Sequence, residues 1–140
     1  MMKKFALFAI CVVVVSACGH VDDSSPKLDA SNGFDARYYA SLENARARMS
    51  KQQLDAFHFV VQGIAENYFI SKYGRTPSVQ QVFDGEAGDY EKALRSERLV
   101  LEKRLKQPEA VYSHPEYRIK EIDEHLRRLQ EAQTLMHSKG

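Results

Sequence analysis

From Tyr38 to Met136, apolar residues recur three and four positions apart. No other feature constrains the fold as much, because this spacing lays them on helical faces and leaves no run that alternates as a strand would. Tyr38, Leu42, Ala45 and Met49 make the first such face. Ser50 and Gln53 form a capping-box signature, which predicts a second helix from Lys51 to Tyr73 with Gly74 as its stop. Leu54, Phe57, Val61, Ile64 and Tyr68 stripe that helix, while Phe59, Val60, Phe69, Ile70 and Tyr73 carry apolar surface around it. A helix apolar on so much of its circumference belongs in the middle of a bundle. Gly63 in its interior costs about 1 kcal/mol relative to Ala, which points to a close helix crossing there.

Thr76-Pro77 reads as a cap followed by proline at the first helical position. The helix it opens is short, with Val79, Val82 and Phe83 on its apolar side, and it is expected to end at Asp84-Gly85, where Gly85-Glu86-Ala87-Gly88 makes a break. A charged amphipathic helix follows from Tyr90 to Lys106, burying Ala93, Leu94, Val100, Leu101 and Leu105, and Gln107-Pro108 stops it. Ser113 and Glu116 form a second capping box, with Pro115 near the helix start. Ile119, Ile122, Leu126, Leu129 and Met136 then make a heptad-like seam on a helix from His114 to His137, with Gln133 filling one slot. Two helices joined by a short proline-containing turn pair antiparallel. The fold class is therefore all-α: a small bundle of four to five helices with a C-terminal antiparallel hairpin, divided into an N-terminal helical part over 34–85 and the hairpin over 89–138.

Ahead of this region the chain is of another kind. Lys3 and Lys4 precede an unbroken apolar run from Phe5 to Val15, and Ser16-Ala17 supply the small residues that favour cleavage. From Phe5 to Cys18 there are only 14 residues, against the roughly 20 that a bilayer-spanning helix needs. Residues 1–17 are thus expected to be an export signal. Val15-Ser16-Ala17-Cys18 resembles the bacterial lipobox, an aliphatic residue and two small ones before the lipid-accepting cysteine. That resemblance implies acylation of the Cys18 thiol and cleavage in front of it. A membrane anchor through the N-terminal lipid follows, since two or three acyl chains bind a bilayer firmly. Gly19 stands where an Asp favours inner-membrane retention in enterobacterial lipoproteins, so the same resemblance implies an outer-membrane address facing the periplasm. Residues 18–33, polar and rich in Ser, Asp and Gly, read as a flexible tether.

Cys11 and Cys18 are the only cysteines. With one removed and the other acylated, the mature chain has no disulfide, thiolate nucleophile or cysteine metal site, and its core alone must hold it. Removing residues 1–17 takes two lysines and no acid, leaving 18 basic against 19 acidic side chains, a net charge of −1. The charges are mixed along the chain, with no basic stripe for nucleic acid or anionic lipid.

Reactive constellations are sparse. Asp55 with His58, and Glu121 with His125, are spaced to face one way on a helix and could each give two ligands to zinc, but neither has a third nearby; a surface i,i+3 or i,i+4 pair is the simpler expectation. His137, in a final helical turn, suits the negative pole of the helix dipole. The serines lack a nucleophile elbow, and Ser50 and Ser113 serve as caps. Tyr38, Tyr39, Tyr68, Tyr73, Tyr90, Tyr112 and Tyr117 read mostly as core edge, with two or three as exposed contacts. No cofactor or metal is expected.

Pro26-Lys27-Leu28-Asp29 with Ser31, Phe34, Ser41-Leu42-Glu43, Met49-Ser50, the helix from Leu54 to Ile64 and Gly74-Arg75-Thr76 together resemble a family of small Gram-negative lipoproteins of unknown function over residues 26–85. The resemblance implies a fold and an address but no chemistry. The expectation is a non-catalytic, membrane-anchored envelope protein that binds another envelope protein, with Ile119, Ile122, Leu126 and Leu129 as the partner contact. Oligomerisation stays open, and a peptidoglycan enzyme or its regulator is the alternative.

Overall fold

The computed structural model describes residues 24–106 and 115–138, and its regular elements are five helices: α1 (Ala36–Ala47), α2 (Lys51–Val60), α3 (Glu66–Tyr73), α4 (Val79–Leu105) and α5 (Pro115–His137). The all-α bundle read from the periodicity is the fold. The export signal, Cys18, Tyr112, Ser113, His114 and the Gln107-Pro108 stop lie outside the described residues.

Helices α4 and α5 are antiparallel. Asp84 meets His137, Tyr90 meets His125, and Arg98 meets Asp123, so partners descend on α5 as they climb on α4. Helix α2 packs against both. The core gathers Phe57 and Val60 of α2, Phe69 of α3, Val82, Phe83 and Ala87 of α4, and Leu129 and Ala132 of α5. Beside it Phe34 stacks on Tyr38 at 4.0 Å between ring centroids, and both meet Phe69 edge-on, which ties α1 to α3.

Ser50 caps α2 as its spacing with Gln53 predicts, with both halves of the capping box formed. Asp35 caps α1 by accepting from the Arg37 and Tyr38 N–H groups. Several expectations are corrected. First, the cap of α4 is Ser78, boxed with Gln81, and not Thr76. The Pro77 carbonyl is committed elsewhere, accepting from the Leu28 N–H at 2.8 Å.

Second, the single helix expected from Lys51 to Tyr73 is two. It stops at Val60, Gly63 takes a left-handed φ of 55°, and Ala65 is extended before α3 begins. An L-residue pays for that conformation while glycine does not. Among the described residues beyond its chain neighbours, none has an atom within 4 Å of where a Gly63 Cβ would be, so this glycine makes a turn and not a helix crossing. Conversely, the break expected at residues 85–88 is absent, and α4 runs through it for 27 residues. Val79, Val82, Phe83, Ala87 and Leu94 share one buried face at helical spacing, so the burial outweighs the roughly 1 kcal/mol that each glycine costs a helix.

Third, the tether expected over 18–33 does not stay free to its end. From Pro26 the chain lies along the start of α4. The Ala30 N–H donates to the Arg75 carbonyl at 2.7 Å, and the Val79 N–H donates to the Pro26 carbonyl at 2.8 Å. Leu28 and Ala30 are fully buried in the core. The Ser41 hydroxyl accepts from the Asp29 N–H, and Glu66 accepts from the Phe34 N–H, which fastens the segment to α1 and α3. One buried leucine, one buried alanine and borrowed backbone partners suffice where composition alone predicted disorder.

Candidate functional site

The expected partner seam on α5 is split lengthwise. Ile122 (0% exposed) and Leu129 (1%) are sealed within the monomer, which corrects their assignment as a contact surface. Ile119 and Leu126, seven residues apart and so on one helical line, stay half-exposed. Leu126 lies in an open groove of about 530 Å³ between α4 and α5, whose walls include Glu91, Arg95, Asp123, Arg127 and Gln130. An apolar side chain in a charged groove is the geometry of a contact that needs both shape and charge to match.

The two histidine pairs part company. Asp55 and His58 are both exposed on α2. His125 is half-buried, with its Nδ1 2.6 Å from the Tyr90 hydroxyl and its ring edge-on to Phe59. The Arg128 guanidinium covers the Phe59 ring at 4.2 Å. His125 thus fastens α5 to α4 and α2 rather than pairing with Glu121. His137 reaches Asp84 at 3.1 Å across the other end of the hairpin. Among the described residues, no group of three or more His, Cys, Asp or Glu is placed to hold a metal ion.

A cluster that spacing along one helix does not reveal joins α3 to α4. The Lys72 ammonium donates to Glu86 at 2.9 Å and to Asp89 at 2.7 Å, and the Tyr73 hydroxyl donates to Glu86 at 2.5 Å. Tyr68 adds its hydroxyl to Asp89 at 3.2 Å. Burial works against the charge on Lys72, yet the bonds to Asp89, Tyr73, Glu86 and Tyr68 outweigh it and hold the ammonium well above the usual lysine range. Burial and the bond to Glu86 push the Tyr73 hydroxyl up in turn, while Lys72 holds the Asp89 carboxyl below its usual value. A lysine fixed in its charged form and a tyrosine fixed in its neutral form are neither nucleophile nor base. The cluster clamps two helices.

Charges mixed along the sequence are sorted by folding. Over residues 92–106 the acids Glu97 and Glu102 are half-buried, Glu97 bonded to Arg118 and Glu102 to Arg98. The exposed charged residues of that stretch, Lys92, Arg95, Lys103 and Lys106, are all basic. Among them stand Leu99 (57% exposed) and Val100 (48%), the latter expected in the core; Leu105 (50%) is exposed on the opposite side, on the line of buried Leu94. The mixed charge of the sequence is thus sorted locally on this face: Arg118 of α5 engages Glu97 and Arg98 of α4 engages Glu102, while Lys92, Lys103 and Lys106 project outward.

Among the described residues, no helix is long and apolar enough to cross a membrane. Compared with protein families, with curated proteins and with solved structures, the chain matches none.

Proposed function

We propose that this is a lipid-anchored, non-catalytic protein of the bacterial envelope that works by binding another envelope protein through the open edge of its C-terminal hairpin. The observation that carries the reading is the divided seam, in which Ile122 and Leu129 are buried while Leu126 stays open in a charged groove and Ile119, one heptad before it, is half-exposed. Support for the anchor is the apolar leader of Phe5 to Val15 ending in Val15-Ser16-Ala17-Cys18. The outer membrane, facing the periplasm, is the proposed address, because Gly19 follows the cysteine. Support for a binding role over a reaction is the committed state of the interior polar groups, with Lys72, Tyr73 and His125 each spent on holding helices together.

The test has two arms. Metabolic labelling with a palmitate analogue is expected to mark the parent protein and not Cys18→Ser. A photo-crosslinking residue at position 126 is expected to give one discrete adduct in native membranes, while the same residue at the exposed position 124 of α5 gives none. Label retained by Cys18→Ser sinks the anchor, and equal crosslinking from 126 and 124 sinks the partner edge.

A further inference from the structure

We propose that the exposed face of α4 over residues 92–106 is a second membrane contact, which rests on an anionic lipid surface and lays the bundle along the bilayer. This rests on the reading of Cys18 as the lipid anchor. Three observations lead to it. Within residues 92–106 the face combines Lys92, Lys103 and Lys106, and Arg95 paired with Glu91, with exposed Leu99 and Val100; the nearest exposed acid on the same line, Asp89, lies one turn before it and is bonded to Lys72. Bases around protruding aliphatic side chains match the interface of an anionic bilayer, where lysines meet phosphates and apolar side chains reach the acyl boundary. A second copy of the same face would set base against base, so charge disfavours self-pairing.

The anchor supplies the other two. The docked segment enters at the start of α4, where the Val79 N–H holds the Pro26 carbonyl. Only residues 19–23 separate Cys18 from the first described residue, Ser24, a reach of about 20 Å even fully extended. The lipid therefore holds the N-terminal end of α4 within about 20 Å of the bilayer, and the basic face begins about 20 Å further along the same rod. Helix α4 is about 40 Å long and unbroken through Gly85 and Gly88. A rigid rod fixed at one end presents its far face to the same surface at high effective concentration. Weak individual contacts then suffice.

The acylated protein, with Leu99→Cys carrying an environment-sensitive fluorophore, tests this in vesicles. The mature chain offers no competing free thiol, because Cys18 is acylated. In vesicles of phosphatidylethanolamine with phosphatidylglycerol, the emission is expected to shift to the blue. The shift should be absent in phosphatidylcholine vesicles, lost in about 1 M salt, where screening is nearly complete, and lost when Lys92, Lys103 and Lys106 are changed to Glu. A label at Ser96→Cys on the same face should behave alike, and one at Glu124→Cys on α5 should stay aqueous. Protein that floats with anionic vesicles while both face labels remain aqueous overturns the proposal, including when those labels are shielded only in native membranes, where a protein partner would be the occupant. A shift that grows with protein density and ignores lipid charge overturns it in favour of a second copy. Protein that does not float with vesicles overturns the anchor itself, an outcome read separately from the fluorescence.

Discussion

Gly85 and Gly88 lie one helical turn apart in α4 and respond in opposite ways to an added methyl group. Among the described residues, nothing outside the helix's own backbone lies within 4 Å of a Cβ built on Gly88, so Gly88→Ala should gain the helix propensity of alanine, about 0.5–1 kcal/mol. A Cβ on Gly85 would come 2.5 Å from the Tyr73 hydroxyl and 2.6 Å from its ring. Tyr73 would have to swing away and give up its bond to Glu86, a loss of about 1–3 kcal/mol for a hydrogen bond to a charged group. Gly85→Ala should therefore be neutral to destabilising where Gly88→Ala stabilises, as read from urea unfolding midpoints. Equal stabilisation by both would show that the Tyr73 ring moves freely. Two glycines in four residues look like a break on composition, but the close approach is a tertiary fact. Nothing near Gly85 in sequence names Tyr73, twelve residues away on another helix.

Elements were legible where their signal is local and illegible where a distant partner decides. The Ser50 capping box and the helical spacing of the C-terminal half placed the start of α2 and the α4–α5 pairing correctly, because caps and amphipathic faces are written within a few residues. The continuity of α4 was also written there, in the unbroken phase of Val82, Phe83, Ala87 and Leu94, but the glycines outweighed it in the reading. The split between α2 and α3 hinges on Gly63, whose left-handed φ is indistinguishable in sequence from tolerance within a helix. Least legible was the segment from Pro26 to Gly33, whose backbone partners at Arg75, Pro77 and Val79 lie about fifty residues on. Its anchor is Leu28, 1% exposed. Leu28→Ala should cost about 2–5 kcal/mol, as for other fully buried leucines, and should expose the segment to limited proteolysis. A substitution as mild as one at the exposed neighbour Lys27 would return residues 26–33 to the free tether that composition suggests.

At the scale of the whole molecule, the same five helices must supply both a core and a surface, and α5 divides the two tasks along its length. The site residues read from the sequence formed one set because heptad spacing cannot say which edge of a seam a neighbouring helix will cover. Helices α2 and α4 cover the edge of Ile122 and Leu129, and that of Ile119 and Leu126 stays open. Truncations should separate these roles. Leu129→Ala removes a sealed side chain and should lower stability by about 2–5 kcal/mol, seen as a lower urea midpoint of the detergent-solubilised protein. Leu126→Ala already has water on one side, so it should cost no more than about 1 kcal/mol. In native membranes Leu126→Ala should nevertheless weaken the partner contact, read as loss of the adduct from a photo-crosslinker moved to position 130 on the same groove. A stability loss for Leu126→Ala as large as that for Leu129→Ala would mean that the whole seam is core, and the partner edge would have to be sought elsewhere. A silent Leu129→Ala would mean that α5 does not pack on α2 and α4 as described.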